Sequence, residues 1–277
     1  MKRGIFIAII FLLPVLAVAS NGVDKDISTQ ANLKAFLSTG RYSAKSVKAF
    51  DSFLNKLDGK RASLKSEQAF VNYIFSKAHN RFLKNYVAYT SLDETFDKGS
   101  YNCLTGTILF SLILNHYAIR HEVIETNYHI FILAETKEGQ VLLETTDPVN
   151  GFVTSPKEIE DRIRLYKQNE IQTAQPGKSY YKFRFELFNS LTMDELRGLV
   201  HYNMAVNSFN QQDLRQAVTH FVNAQKLYSS ARIEEFSQVL LLSLQQSELD
   251  QKTKENCMNT ILSVRQKSLP VIIASNN

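Results

Sequence analysis

The segment from Cys103 to Thr146 constrains the fold more than any other part of the chain. Leu104 to Tyr117 is an apolar run carrying Ile108, Leu109, Leu112 and Ile113, long enough for a buried helix. The period then changes. His121–Thr126, Tyr128–Glu135 and Gln140–Thr146 are short β-rich runs, and Lys137-Glu138-Gly139 between the last two supplies a hairpin turn. The pattern predicts an α+β fold in which a helix opening with Cys103 packs on a small antiparallel sheet.

The flanks read as helices. Leu33, Phe36 and Leu37, then Val47, Phe50, Phe53, Leu54 and Leu57, recur at spacings of three and four, and a third helix is expected over Ser66–Tyr86. The polar stretch Ser91–Ser100 separates these from Cys103. After the hairpin, Asp147-Pro148 ends the second strand and Asn150-Gly151 marks a turn. A helix over Pro156–Gln168 and a strand over Tyr180–Leu187 follow. From Asp194 the chain is helical again. Two helices pair across Asn210–Asp213, with Ala217, Phe221 and Ala224 at the A-x3-F-x2-A spacing of a tetratricopeptide repeat and Ala205 as the small residue of the first helix. A second pair is expected over Ile233–Leu249 and Lys252–Gln266. One good repeat and one degenerate one predict a helical region packed on the first domain.

Lys2 and Arg3, the apolar stretch Ile5–Leu16 and Ala17-Val18-Ala19 have the form of a secretory signal peptide cleaved after Ala19. No later window reaches about 18 apolar residues, so no membrane span is expected after its removal. The divisions are therefore a signal peptide over 1–19, a first domain over 20–190 with its core at 101–152, and a helical region over 191–277. The protein is expected to be exported, to the periplasm or beyond. Its composition, 44% hydrophobic and 21% charged, excludes a disordered, collagenous or disulfide-framework chain. Of 32 basic residues, the 30 left without Lys2 and Arg3 face 27 acidic ones. A net charge of +3 does not imply a nucleic-acid partner.

Export gives weight to the only two cysteines, Cys103 and Cys257. They form either one long-range disulfide or two free thiols, one of them reactive. Cys103 opens a helix, whose dipole and unpaired N–H groups favour a thiolate. His129 lies on a strand, and Asp147 ends the strand paired with it, so imidazole and carboxylate can meet across the ladder. Cys103, His129 and Asp147 are the candidate nucleophile, acid/base and orienting acid. Tyr101 and Asn102 are candidates for oxyanion binding or orientation, Asn102 competing with a role as helix N-cap. Glu144 is expected to face solvent or the cleft rim, and Cys257 to be an inert buried thiol. His116 and His121 have no zinc-site spacing, and neither a metal nor any other cofactor is expected.

Cys103-Leu104-Thr105-Gly106, Tyr117-Ala118-Ile119, Tyr128-His129 and Asp147-Pro148 together resemble the core of the transglutaminase-like superfamily, the papain-like cysteine enzymes of bacteria. The resemblance covers Tyr101–Phe152. It implies a Cys-His-Asp site acting on an amide through a thioacyl intermediate, as a peptidase, amidase or transglutaminase. A peptide or protein substrate, with cell-wall peptide among the candidates, fits export. The competing reading is a non-catalytic interaction protein that binds a peptide or protein partner through its C-terminal helices.

Overall fold

The computed structural model describes residues 21–40, 42–168 and 185–274. The expected signal peptide lies outside them, as does most of the strand expected at Tyr180–Leu187. Among the described residues the fold is α+β, with ten helices, a five-stranded antiparallel sheet in mid-chain and a C-terminal run of packed helices.

Helices α1 (Asn21–Leu37), α2 (Ala44–Arg61) and α3 (Glu67–Phe82) bury the apolar stripes that their spacing predicts. Ser66 caps α3 by accepting from the Ala69 N–H. The helix stops at Phe82, short of the expected Tyr86. Asn85–Tyr86 instead form β1, paired in parallel with β2 (Ser100–Tyr101). The polar stretch between them is a helix, α4 (Leu92–Lys98), rather than a loop. Its signal is the sequence Ser91-x-x-Glu94: the Glu94 carboxylate reaches back toward the Ser91 N–H, and Gly99 ends the turn at φ 74°.

Helix α5 (Cys103–His116) is buried from Leu104 through Leu114. The strands β3 (His121–Thr126), β4 (Ile130–Thr136), β5 (Gly139–Leu143), β6 (Phe152–Val153) and β7 (Phe188–Leu191) lie in the order β6-β5-β4-β3-β7. Alternation divides their side chains between two layers. Val123, Ile130, Ile132, Ala134, Val141 and Leu143 join the core that contains α5. Ile124, Phe131 and Leu142 face the other way, against Ile159 of α6 (Pro156–Lys167). The hairpin strands are shorter than expected at one end. Tyr128, His129 and Glu144–Thr146 have left the ladder there, and those residues build the site.

The C-terminal helices are α7 (Met193–Asn210), α8 (Leu214–Leu227), α9 (Ala231–Gln246) and α10 (Gln251–Ala274). Ala205, Ala217, Phe221 and Ala224 are fully buried where α7 and α8 pack together. Buried residues of α7 to α10 belong to the same apolar cluster as α1, α5 and the sheet. Among the described residues no helix is long and apolar enough to cross a membrane.

Candidate active site

Cys103 is the first residue of α5, and Asn102 before it is the N-cap. Asn102 Oδ1 accepts from the Thr105 N–H at 2.9 Å, and Thr105 Oγ1 accepts from the Asn102 N–H at 3.0 Å. This reciprocal cap fixes the first turn, so the thiol sits at the positive end of the helix dipole. Gly106, one turn along, admits close approach: a Cβ there would lie 2.9 Å from Thr145 Oγ1. Thr145 Oγ1 donates to the Cys103 carbonyl at 3.4 Å, joining the helix to the loop beyond β5.

His129 stands one residue before β4. Thr126 holds its backbone from both sides: the Thr126 N–H donates to the His129 carbonyl at 2.8 Å, and the His129 N–H donates to Thr126 Oγ1 at 3.1 Å. The ring is stacked along Phe131 and tilted against Tyr166, with centroids 6.4 and 5.2 Å away. Its Nε2 is hydrogen-bonded to Glu144 Oε2, and the Cys103 thiol is near enough to act on the ring's charge. Burial alone would lower the imidazole pKa. The bonds and charges of Cys103 and Glu144 outweigh it and push the value up to about 10. The pair thus favours the charged form of the ring.

Glu144 stands one residue past β5, 5% exposed. Burial works to raise its pKa, but the His129 contact and the Thr146 donors prevail and hold the carboxyl below the usual range. Oε1 accepts from the Thr146 N–H at 2.9 Å and from Thr146 Oγ1, while the Tyr166 hydroxyl donates to Oε2 at 3.2 Å. Four donors thus converge on this one carboxylate.

The imidazole pairs with Glu144 and not with Asp147, contrary to the sequence expectation. Ile132 faces Leu143 in the ladder. Counting three residues back and three on puts Thr146 opposite His129. Glu144 is two residues from Thr146 and shares its face, whereas Asp147 has the opposite parity. Asp147 Oδ1 instead accepts from the N–H groups of Val149 and Asn150, at 3.1 and 2.8 Å. This turn brings Gly151 back to donate to the Asp147 carbonyl at 2.9 Å and to accept from the Glu144 N–H at 2.8 Å. Buried His79 braces the same loop, its ring nitrogens 2.8 Å from the Phe75 carbonyl and 3.0 Å from that of Thr145.

Of the two oxyanion candidates, Asn102 is engaged as the cap, and its Nδ2 points to the Thr90 carbonyl at 3.5 Å. Tyr101 is buried edge-on against Tyr86, with ring centroids 5.9 Å apart. Tyr86 was not visible as a site residue in the sequence. Most of its surface is open, 60% exposed, yet it is near enough to Cys103 and Glu144 for their charges to bear on it. Partial burial, with the charges of Cys103, Tyr101 and Glu144, raises its pKa to about 12 and keeps it a proton donor. Tyr166, whose hydroxyl reaches Glu144, was likewise missed.

Cys103 and Cys257 are both free thiols, so the disulfide alternative is not realised. Burial raises the Cys257 pKa. His121 bonds Ser111 Oγ and the Ile119 carbonyl, and His116 packs edge-on against Tyr117. Among the described residues no group of three or more His, Cys, Asp or Glu side chains is placed to hold a metal ion. No protein-family model matches the sequence, no curated protein matches it, and no solved structure matches the fold.

Proposed function

We propose that this protein is an exported, transglutaminase-like cysteine enzyme that acts on an amide bond of a peptide. Cys103 is the nucleophile, His129 the general acid and base, and Glu144 the acid that orients the imidazole. One observation carries the reading: a single imidazole bonds the buried Glu144 carboxylate through Nε2 and stands near enough to Cys103, the first residue of α5, for the thiol to act on its charge. An imidazole held by a carboxylate beside a thiol at a helix start is the arrangement that activates a sulfur nucleophile.

In the reaction, Cys103 Sγ attacks the amide carbonyl carbon and the electron pair moves to oxygen. In this reading the Cys103 N–H, free of an intrahelical partner in the first turn of α5, donates to that oxyanion, with the Tyr86 hydroxyl as the second donor. As the carbonyl re-forms, the C–N bond breaks, and the nitrogen leaves as an amine with the His129 proton. Water or a second amine then gives a proton back to His129 and attacks the thioester, expelling the Cys103 thiolate. Glu144 keeps the ring aligned and stabilises its charged form. Export favours extracytoplasmic peptides, including cell-wall peptide stems, as substrates.

Alkylation by iodoacetamide at pH 5 to 8, with each cysteine followed by peptide mass spectrometry, tests the proposal. Cys103 should react well ahead of Cys257 even at pH 5 to 6, and His129→Ala should remove that advantage. Equal, slow alkylation of both cysteines would sink it.

A further inference from the structure

A cavity of about 400 Å³ opens between α7, α9 and the Asn127–Tyr128 turn, outside the site described above. That size falls within the range of small-ligand pockets. Tyr202, Phe209 and Phe236 form its floor, the rings of Tyr202 and Phe209 packing edge-on to Phe236 at 5.5 and 5.7 Å. Two of its lining residues neighbour the candidate active site. Tyr128 is the residue before His129, and Tyr89 is close enough to both Tyr86 and Tyr202 for its charge to bear on each.

Tyr89 is built in at a cost. It is an aromatic residue at φ 59°, in the left-handed region that non-glycine residues rarely adopt. Such strain persists where surrounding structure holds it, and it concentrates at binding sites. Here Asn210 Nδ2 donates to the Tyr89 hydroxyl at 3.4 Å, and the residue lines the cavity while remaining 41% exposed.

The lining also defines the ligand. Its two charged groups are already engaged: Arg232 lies 2.9 Å from Glu125 and donates to the Thr126 and Asn127 carbonyls, and Glu235 has its own partner. What is left for a ligand is aromatic surface and the half-buried Asn203, an amide with no hydrogen bond to another described residue. We propose that this cavity is a specificity subsite for an aromatic or large aliphatic side chain of the peptide substrate, with Asn203 bonding the backbone amide beside it. The proposal rests on the reading of Cys103 as the nucleophile.

The test uses peptidyl vinyl sulfones that differ at one residue, bearing Phe, Leu, Gly or Asp. Cys103 labelling rates are normalised to those with iodoacetamide, which is too small to span both sites. The Phe and Leu reagents should react at least 10-fold faster than the Gly and Asp reagents. Filling the cavity by Val206→Trp, or separately by Val239→Trp, should reduce that ratio to near one. Equal rates across the series, or a preference that survives both substitutions, would overturn the subsite. So would protection by an N-acetylated aminosugar oligomer and not by a Phe-bearing peptide, which would give the cavity to a glycan. Iodoacetamide reactivity at Cys103 that depends on His129, seen together with a flat series, removes the subsite alone; loss of that dependence removes the enzyme reading itself.

Discussion

His129 Nε2 is hydrogen-bonded to Glu144, one residue beyond the end of β5, while Asp147 turns its carboxylate onto the backbone of its own loop. The two acids therefore contribute in different ways, and substitution separates them. Glu144→Gln removes the charge that raises the imidazole pKa. By analogy with other triads it should lower Cys103 turnover on the order of 10²–10⁴-fold. Asp147→Asn keeps a side-chain oxygen for the Val149 and Asn150 N–H groups and should react nearly as the wild type. Asp147→Ala loses both turn bonds and should cost about 1–2 kcal/mol of stability. Labelling rates read beside chemical denaturation distinguish these outcomes, and a greater labelling loss in Asp147→Asn than in Glu144→Gln would refute the assignment.

The sequence shows why the thiol and imidazole were legible and the acid was not. Cys103 and His129 sit at changes of period, a helix start and a strand start, and such boundaries follow from apolar spacing. The choice of acid depends on strand parity, and parity depends on the register, which the Lys137-Glu138-Gly139 turn left open by a residue. Asp147 before Pro148 also has the composition of a loop, and a loop is what it builds. Helix α4 was hidden by its polarity, although Ser91 and Glu94 stand at capping-box spacing. Tyr86 and Tyr166 enter the site through tertiary packing of β1 and α6, for which the chain has no local signal.

The pH dependence of stability follows from the coupled pair. The His129 pKa is raised from the ordinary 6.5 to about 10, so its contribution is complete below about 6.5 and is lost as pH rises toward 10. The Glu144 pKa is lowered, so its contribution is present above the ordinary carboxylate value and is lost as pH falls through the depressed one. The melting-temperature advantage of the wild type over Glu144→Gln should be greatest near pH 5 to 6.5 and shrink steadily toward pH 10. A difference that grows between pH 7 and 10 would contradict the pairing.

Gly151 closes the loop that carries Glu144. A Cβ there would lie 2.2 Å from the Glu144 carbonyl and 2.3 Å from that of Asp147; the first already accepts from the Asp147 N–H and the second from the Gly151 N–H. Gly151→Ala must open that loop. It should cost about 2–3 kcal/mol and slow Cys103 labelling, because Glu144 moves with its backbone. Gly59 in α2 gives the contrast: a Cβ there meets nothing within 4 Å, so Gly59→Ala should stabilise the helix by about 0.5–1 kcal/mol. Comparable melting temperatures for the two variants would remove Gly151 from this role.

Arg232 makes the C-terminal helices part of the site. From α9 it pairs with buried Glu125 on β3, and its guanidinium donates to the Thr126 and Asn127 carbonyls at 2.7 and 2.9 Å. Thr126 in turn holds the His129 backbone on both sides. Arg232→Met should therefore displace the imidazole as well as destabilise the fold. Removing one partner of a buried pair typically costs about 3–5 kcal/mol, whereas replacing both is often nearly neutral. The double variant Glu125→Gln/Arg232→Met should accordingly recover much of the lost stability. Burial already holds the Glu125 pKa above the usual carboxylate range against the pull of Arg232, and losing Arg232 raises it further. A raised carboxyl pKa means that the native state binds the extra proton, so stability falls as pH rises. The melting deficit of Arg232→Met should therefore be larger at pH 8 than at pH 5. Stability restored in the double variant without restored Cys103 labelling would identify the guanidinium contacts to Thr126 and Asn127 as the positioning element. Full labelling in Arg232→Met at a pH where it is folded would show that the imidazole is held without α9.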